Sequence, residues 1–227
     1  MVVIIGSGRL SRALLTLIDC GDVRVYGRNT ETVKELVDQF PLAKQANKDD
    51  LNKAEIIIVC LPKNAYRPFF EEHLEELSKN VLIVHFATAL MEDQVSPLIG
   101  GRRLLPCKLV GHAKQMLLDG EGLFAVPSAY DELRVQMEKL FPNITFISLK
   151  EEDVLAANQL ATEETMKMIG RLEKRARELK LPDRVTVQVE RQIIPGVVRS
   201  YLDDDLGGFA KEIAKKLKEK KGELDEA

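Results

Sequence analysis

Near the start of the chain, Gly6-Ser7-Gly8-Arg9-Leu10 follows the apolar run Val2 to Ile5 and leads into a helical pattern from Leu10 to Ile18. A glycine turn between a strand and a helix offers unpaired backbone N–H groups at the positive end of a helix dipole, chemistry that suits a pyrophosphate. Gly6 permits the tight turn, and Gly8 lacks the Cβ that would hold phosphates away. Where a third glycine would complete the Gly-x-Gly-x-x-Gly spacing, the chain has Ser11, a small residue at the position that governs helix-to-strand packing more than phosphate contact. Gly6, Ser7, Gly8, Arg9 and Leu10 are therefore the first candidate binding residues, and they predict a dinucleotide.

The end of the second strand decides which dinucleotide. An acid there would accept from the ribose hydroxyls and repel a 2′-phosphate, but the chain reads Tyr26-Gly27-Arg28-Asn29-Thr30. Arg28 supplies a planar fork for a phosphate, with Asn29 and Thr30 as neutral donors. NADP is expected in preference to NAD.

A second set of residues could move a proton or receive a carboxylate: Lys108, His112 and Lys114, in Cys107-Lys108-Leu109-Val110-Gly111-His112-Ala113-Lys114, a predicted loop after the sixth strand. Histidine is the side chain type most used as an acid or base near neutral pH, which makes His112 a candidate. His85 closes an apolar strand and reads as a core histidine, while His73, in a charged helix, has no expected role. No His, Cys or acid cluster has metal-ligand spacing, so no metal is expected.

The elements that must position these residues alternate β-branched runs with helical patterns. Strands are expected at Val2 to Ile5, Val23 to Tyr26, Ile56 to Cys60, Val81 to His85, Arg103 to Lys108, Gly122 to Val126 and Ile144 to Leu149. Helices are expected from Leu10, from Thr30 with its hydroxyl as cap, and at Phe69 to Leu77, Glu92 to Leu98 and Ala129 to Leu140. After Leu149 the period becomes helical throughout. One helix is predicted from Glu151 to Leu179, another over Val185 to Asp203 with a break at Pro195-Gly196, and a last over Phe209 to Lys221. The class is α/β: an N-terminal doubly wound parallel-sheet Rossmann domain, residues 1–149, and a C-terminal all-helical domain, residues 150–227. The apolar positions of the long helix exceed what a pair of neighbouring helices would cover, which predicts a homodimer.

Composition sets the outer limits. The 227 residues carry 33 basic and 36 acidic side chains, and a net charge of −3 gives no reason to expect nucleic acid or an anionic membrane as partner. No apolar run approaches the ~20 residues of a membrane span. No basic region precedes the first strand, so no signal peptide is expected. Cys20, Cys60 and Cys107 are odd in number and widely spaced, a pattern of free thiols in a reducing, cytoplasmic setting.

The order GSGRLSRAL, YGRNTE, IIIVCLPKNA, VLIVHFATAL, RRLLPCKL resembles the pyrroline-5-carboxylate reductase family and its relatives in the 6-phosphogluconate dehydrogenase-like superfamily, over about the first 125 residues. The resemblance implies that the second, helical domain dimerises. It implies that Cys60, Leu61, Pro62 and Lys63 lie beside the nicotinamide ribose, and Ala87 and Thr88 close to the nicotinamide. The reductases' Ser-Gly-Ser-Gly-Pro-Ala-Tyr run is absent: Ala157 to Glu164 reads ANQLATEE. The β-hydroxyacid dehydrogenases carry a Lys and an Asn one turn apart on this helix; Asn158 matches the Asn, but Val154 stands where the Lys would be. Hydride transfer to a protonated imine needs little beyond a positioned nicotinamide, whereas a carbonyl needs a proton donor, for which Lys108, His112 and Asn158 are the candidates. Two functions stand open: an NADP(H)-dependent oxidoreductase acting on a small, carboxylated imine or carbonyl substrate, and an NADP-binding sensor or partner-binding protein without catalysis. Gly111-His112 supports a third and weaker similarity, to prephenate dehydrogenase or NADP-dependent F420 reductases.

Overall fold

The computed structural model describes residues 1–225, with side chains described to residue 219. The chain runs β1 (Val2–Ile5), α1 (Arg9–Leu17), β2 (Val23–Tyr26), α2 (Thr30–Val37), β3 (Ala43–Gln45), α3 (Lys48–Lys53), β4 (Ile56–Val59), α4 (Lys63–His73), β5 (Leu82–His85) and α5 (Glu92–Val95). It continues with β6 (Arg103–Pro106), β7 (Lys108–Leu109), α6 (Ala113–Asp119), β8 (Gly122–Val126), α7 (Asp131–Leu140), β9 (Ile144–Ser148) and α8 (Glu151–Glu178). The last helices are α9 (Asp183–Gln188), α10 (Ile194–Leu202) and α11 (Gly208–Asp225).

Six parallel strands form one sheet in the order β3-β2-β1-β4-β5-β6. All four residues of β1 are buried, as expected of a central strand covered on both faces. Val2 and Ile4 join one core with Leu14, Val25 and Phe124, and Val3 and Ile5 join another with Tyr66, Phe70 and Val95. Ile5 pairs with Tyr26 on one side and Val59 on the other, so β1 is where strand order reverses. At such a switch point the loops leaving the carboxyl ends diverge and open a crevice.

A second sheet, β7-β8-β9, was not foreseen from sequence. The run Arg103 to Lys108 was expected as one strand, but it divides at Cys107. Up to Pro106 it pairs with β5, and the Cys107 N–H still reaches the His85 carbonyl at 3.1 Å. Lys108 and Leu109 then pair antiparallel with Ala125 and Phe124 of β8. The expected loop beyond it contains α6, which ends at Gly120 with φ of 72°. Helix α4 starts at Lys63 instead of near Phe69; its first turn is exposed and carries no apolar pattern by which the sequence would mark it. Asn29, not Thr30, caps α2: its side-chain oxygen accepts from the N–H groups of Glu31 and Thr32 at 3.0 and 3.1 Å.

The chain divides into two compact units, residues 1–161 and 162–227, with the division inside α8. Beyond it, the expected break at Pro195-Gly196 is displaced to a wide helical turn at Val189–Ile193. Helical backbone runs from α9 through this turn into α10, and Pro195 follows it directly, where its missing N–H and its ring disfavour an ordinary bond to the carbonyl four residues back.

Candidate functional site

The crevice at the end of β1 is a groove of about 710 Å³. Gly6, Ser7, Arg28, Asn29, Leu61 and Pro62 line it, so it gathers six of the expected binding residues from the ends of β1, β2 and β4. Gly6 has φ of +104°, and a Cβ there would stand 2.9 Å from the Cys60 carbonyl oxygen. The strand-to-helix turn therefore requires glycine. Gly8 differs: a Cβ there would meet nothing within 4 Å. Its φ of −83° is ordinary, so the open space in front of it is what the missing side chain preserves. Gly8 precedes the first turn of α1, whose N-terminal amides have no side-chain cap. Such an open, uncapped turn fits a pyrophosphate.

Ser11 is fully buried against the Cys60 thiol, in keeping with the packing role of the third fingerprint position. Burial pushes that thiol up to about 12, so Cys60 is no nucleophile at neutral pH. Leu10 packs against the core, while Arg9 and Thr30 are exposed helix residues that do not line the groove. Lys63 is the exposed first residue of α4. Arg28 is exposed at the groove wall, and Ser7 and Thr32 share a hydroxyl hydrogen bond of 3.1 Å beside it. Phe69, Pro68, Glu72 and His73 of α4 also line the groove. His73, expected to have no role, is buried and bonds Glu76 at 2.7 Å while its ring meets Tyr26 edge-on at 5.2 Å.

Ala87 and Thr88 follow β5 and are half-buried. Val59 pairs with His85, so the loops after β4 and β5 leave the sheet at the same level on the side of β1 away from Arg28. A buried cluster that sequence reasoning missed lies beneath Ala87. The Lys108 ammonium donates to the carbonyls of Ala87 at 2.7 Å and Leu90 at 2.6 Å, and pairs with the Glu151 carboxylate at 2.9 Å. His85 lies beside both, 3.2 Å from the ammonium and 3.4 Å from the carboxylate. The other Glu151 oxygen accepts from the N–H of Glu92 at 2.8 Å, and Tyr130 donates its hydroxyl to the Glu92 side chain. Tyr66 donates to the Val59 carbonyl at 3.1 Å and accepts from the Ala87 N–H at 3.3 Å.

Electrostatics follow from this burial. Desolvation lowers both Lys108 and His85, opposed by Glu151. Glu151 is held down at about 2: burial opposes its charge, but His85, Lys108 and the Glu92 amide together outweigh it. Removing either member of the ion pair alone would strand a buried charge, at a cost of about 3–5 kcal/mol.

The three expected proton-transfer residues are thus not brought together. Lys108 is fully buried and bonded on all sides, neither a surface charge nor open to a substrate. Asn158 donates to the Leu109 carbonyl at 2.9 Å and accepts from the Gly111 N–H at 3.1 Å, so its amide ties the β7–α6 connection. His112 is exposed and lines a separate cleft of about 380 Å³ with Gln115, Asp119 and Glu121, which shares no lining residue with the groove. Lys114 is an exposed residue of α6. Among the described residues no group of three His, Cys, Asp or Glu could hold a metal ion, and no helix is long and apolar enough to cross a membrane.

A doubly wound sheet with a glycine-lined groove at its switch point defines a Rossmann-type, dinucleotide-binding architecture. Within that class, residues 1–88 match the family described as NADP oxidoreductase, coenzyme F420-dependent. The fold is that of the pyrroline-5-carboxylate reductases. The enzyme from Coxiella burnetii aligns with a TM-score of 0.67 at 14% identity, over 99% of this chain and 92% of that one. The one from Streptococcus pyogenes aligns at 0.63 and 15% identity, over 98% and 91%. An imine reductase from Myxococcus stipitatus, solved in complex with NADP+, aligns at 0.56 and 20% identity, over 89% and 76%. No curated protein sequence matches the chain.

Proposed function

We propose that this protein is an NADP(H)-dependent reductase that delivers hydride to a small, carboxylated imine. The observation that carries this reading is the groove itself. Gly6 and Gly8 leave room for a pyrophosphate at the start of α1, and Arg28 stands at the end of β2 where an NAD-selective protein would carry an acid. The oxidoreductase family matched by residues 1–88, and the imine and pyrroline-5-carboxylate reductases that share the fold, support the same chemistry. An imine is preferred to a carbonyl because Lys108 and Asn158 are engaged in structural bonds, and a protonated imine arrives with its own proton.

NADPH would lie along the groove with its 2′-phosphate at Arg28, its pyrophosphate at Gly6 to Gly8 and its nicotinamide ribose at Leu61 and Pro62. When bound it supplies the hydride, and the chain's residues orient it. Val197, Val198, Tyr201, Leu202 and Phe209 are exposed apolar residues of the second unit and support a homodimer, while the free thiols of Cys20, Cys60 and Cys107 suit a cytoplasmic setting.

NADPH oxidation across a panel of cyclic imines, with and without a carboxylate, tests the reading. The expected result is turnover of a carboxylated imine and preference for NADPH over NADH, with Arg28→Ala weakening NADPH about 10–100-fold and leaving NADH unchanged. The same occupancy of Lys108 and Asn158 favours one second reading, an NADP-binding protein without turnover. Tight NADPH binding with no oxidation by any imine or carbonyl would select it.

A further inference from the structure

The turn after β5 has its polar backbone groups fixed from below. Its Ala87 N–H is bonded by the Tyr66 hydroxyl, and its Ala87 and Leu90 carbonyls converge on the single Lys108 ammonium. The Leu90 N–H closes the turn on the Ala87 carbonyl at 3.1 Å, and the Glu92 N–H is bonded by Glu151. Lysine here acts as a bound cation would, drawing two carbonyls toward one charge. Glu151 neutralises that charge and at the same time holds the far end of the turn. Both side chains are buried, and neither faces the groove.

The position of this turn gives the clamp a use. The strand order is β2-β1-β4-β5, and Arg28 lies at the β2 end of the groove. A dinucleotide anchored there and crossing Gly6 to Gly8 carries its second half toward the ends of β4 and β5. The surface it meets on the β5 side is Ala87 and Thr88, the half-buried top of the clamped turn. Short side chains at these places leave the backbone as the contact surface, and a backbone surface is only as well placed as the bonds that hold it.

We propose that Lys108 and Glu151 are positioning residues for the nicotinamide half of the dinucleotide: the buried ion pair presets the Ala87–Glu92 turn, and the turn presents a fixed backbone edge to that half. This rests on the proposed dinucleotide reading, and it assigns Lys108 a role without contact to substrate or cofactor.

The test uses the full chain and two probes, NADPH and adenosine 2′,5′-bisphosphate, which keeps the Arg28 end and lacks the nicotinamide half. Binding is measured calorimetrically for wild type, Lys108→Met and the double variant Lys108→Met/Glu151→Gln, which leaves no unpaired charge. The expected result is unchanged bisphosphate affinity, NADPH affinity reduced about tenfold, and loss of the change in nicotinamide fluorescence on binding. Variants that keep the wild-type ratio of the two affinities and the fluorescence change overturn the proposal. A second measurement needs no variant: in ligand-free wild type, the amides of Ala87, Leu90 and Glu92 should exchange as slowly as those of β5. Exchange at the rate of an open loop overturns the preset turn. If wild type binds the bisphosphate but not NADPH, the proposal fails while the Arg28 site stands; if it binds neither, the dinucleotide reading fails and takes the proposal with it.

Discussion

Replacing Gly8 by alanine separates binding from stability. The added Cβ meets no protein atom within 4 Å, and φ of −83° is comfortable for alanine. Two small effects oppose each other. Alanine reduces the freedom of the unfolded chain, which stabilises by about 0.4–1 kcal/mol, but it is a poorer residue than glycine at a helix N-cap by a similar amount. The net change in stability should lie within about 0.5 kcal/mol, or about 2 °C in Tm for a chain of this size. With a pyrophosphate in place the methyl has no such room, and crowding a close-packed contact costs about 1–3 kcal/mol. That is a loss of about 5–150-fold in NADPH affinity. Thermal denaturation without ligand and calorimetric titration with NADPH measure the two quantities on one sample. Gly6→Ala is the contrast: φ of +104° and a 2.9 Å approach to the Cys60 carbonyl should cost about 1–3 kcal/mol of folding stability with no ligand present. NADPH affinity equal to wild type in Gly8→Ala would show that no phosphate lies over this turn, and the account of the groove would be wrong.

Two further predictions concern the region beside β5. Tyr66→Phe removes a buried hydroxyl that serves both the Val59 carbonyl and the Ala87 N–H, and should lower stability by about 1–3 kcal/mol in a denaturant titration. Glu151 is held at about 2 in the folded protein, below its ordinary 4.5, so its contribution to stability is complete above about pH 4.5 and is lost as pH falls toward 2. His85 is also lowered by burial, so stability should begin to fall below its ordinary value of 6.5, as the folded state resists its protonation. Urea unfolding between pH 7 and 2 should show both losses, and Glu151→Gln should flatten the lower one.

How far the chain could be read in advance depended on the distance between partners. The conformation of the β1 turn and the place of Arg28 at the groove wall were legible because the groups that set them lie within a strand, a turn and a helix of one another. Gly6 and Gly8 have their conformations set locally, and Arg28 follows its strand directly. Lys108 was misread because it ends an apolar run, where a lysine ordinarily reaches water. Nothing nearby in sequence announces that the chain changes sheets at Cys107 or that a carboxylate at the start of α8 will meet it. Asn158 was matched to a catalytic position by its place on the helix, yet its partners are Leu109 and Gly111, 49 and 47 residues away. Helix α6 escaped notice because its exposed residues outnumber its buried ones, with Met116 alone fully inside.

The ion pair also sets the point at which the α/β unit is electrostatically complete. By strand count that unit ends with β9 at Ser148, but the buried Lys108 ammonium finds its counter-charge only three residues later, at Glu151. A fragment cut at Leu149 would keep every strand and leave the Lys108 ammonium buried with carbonyls and no counter-charge. The helical unit therefore could not be exchanged for another by grafting at the strand boundary. Any replacement helix would have to begin with an acid in the place of Glu151, and that one inherited carboxylate makes the start of α8 part of the unit before it.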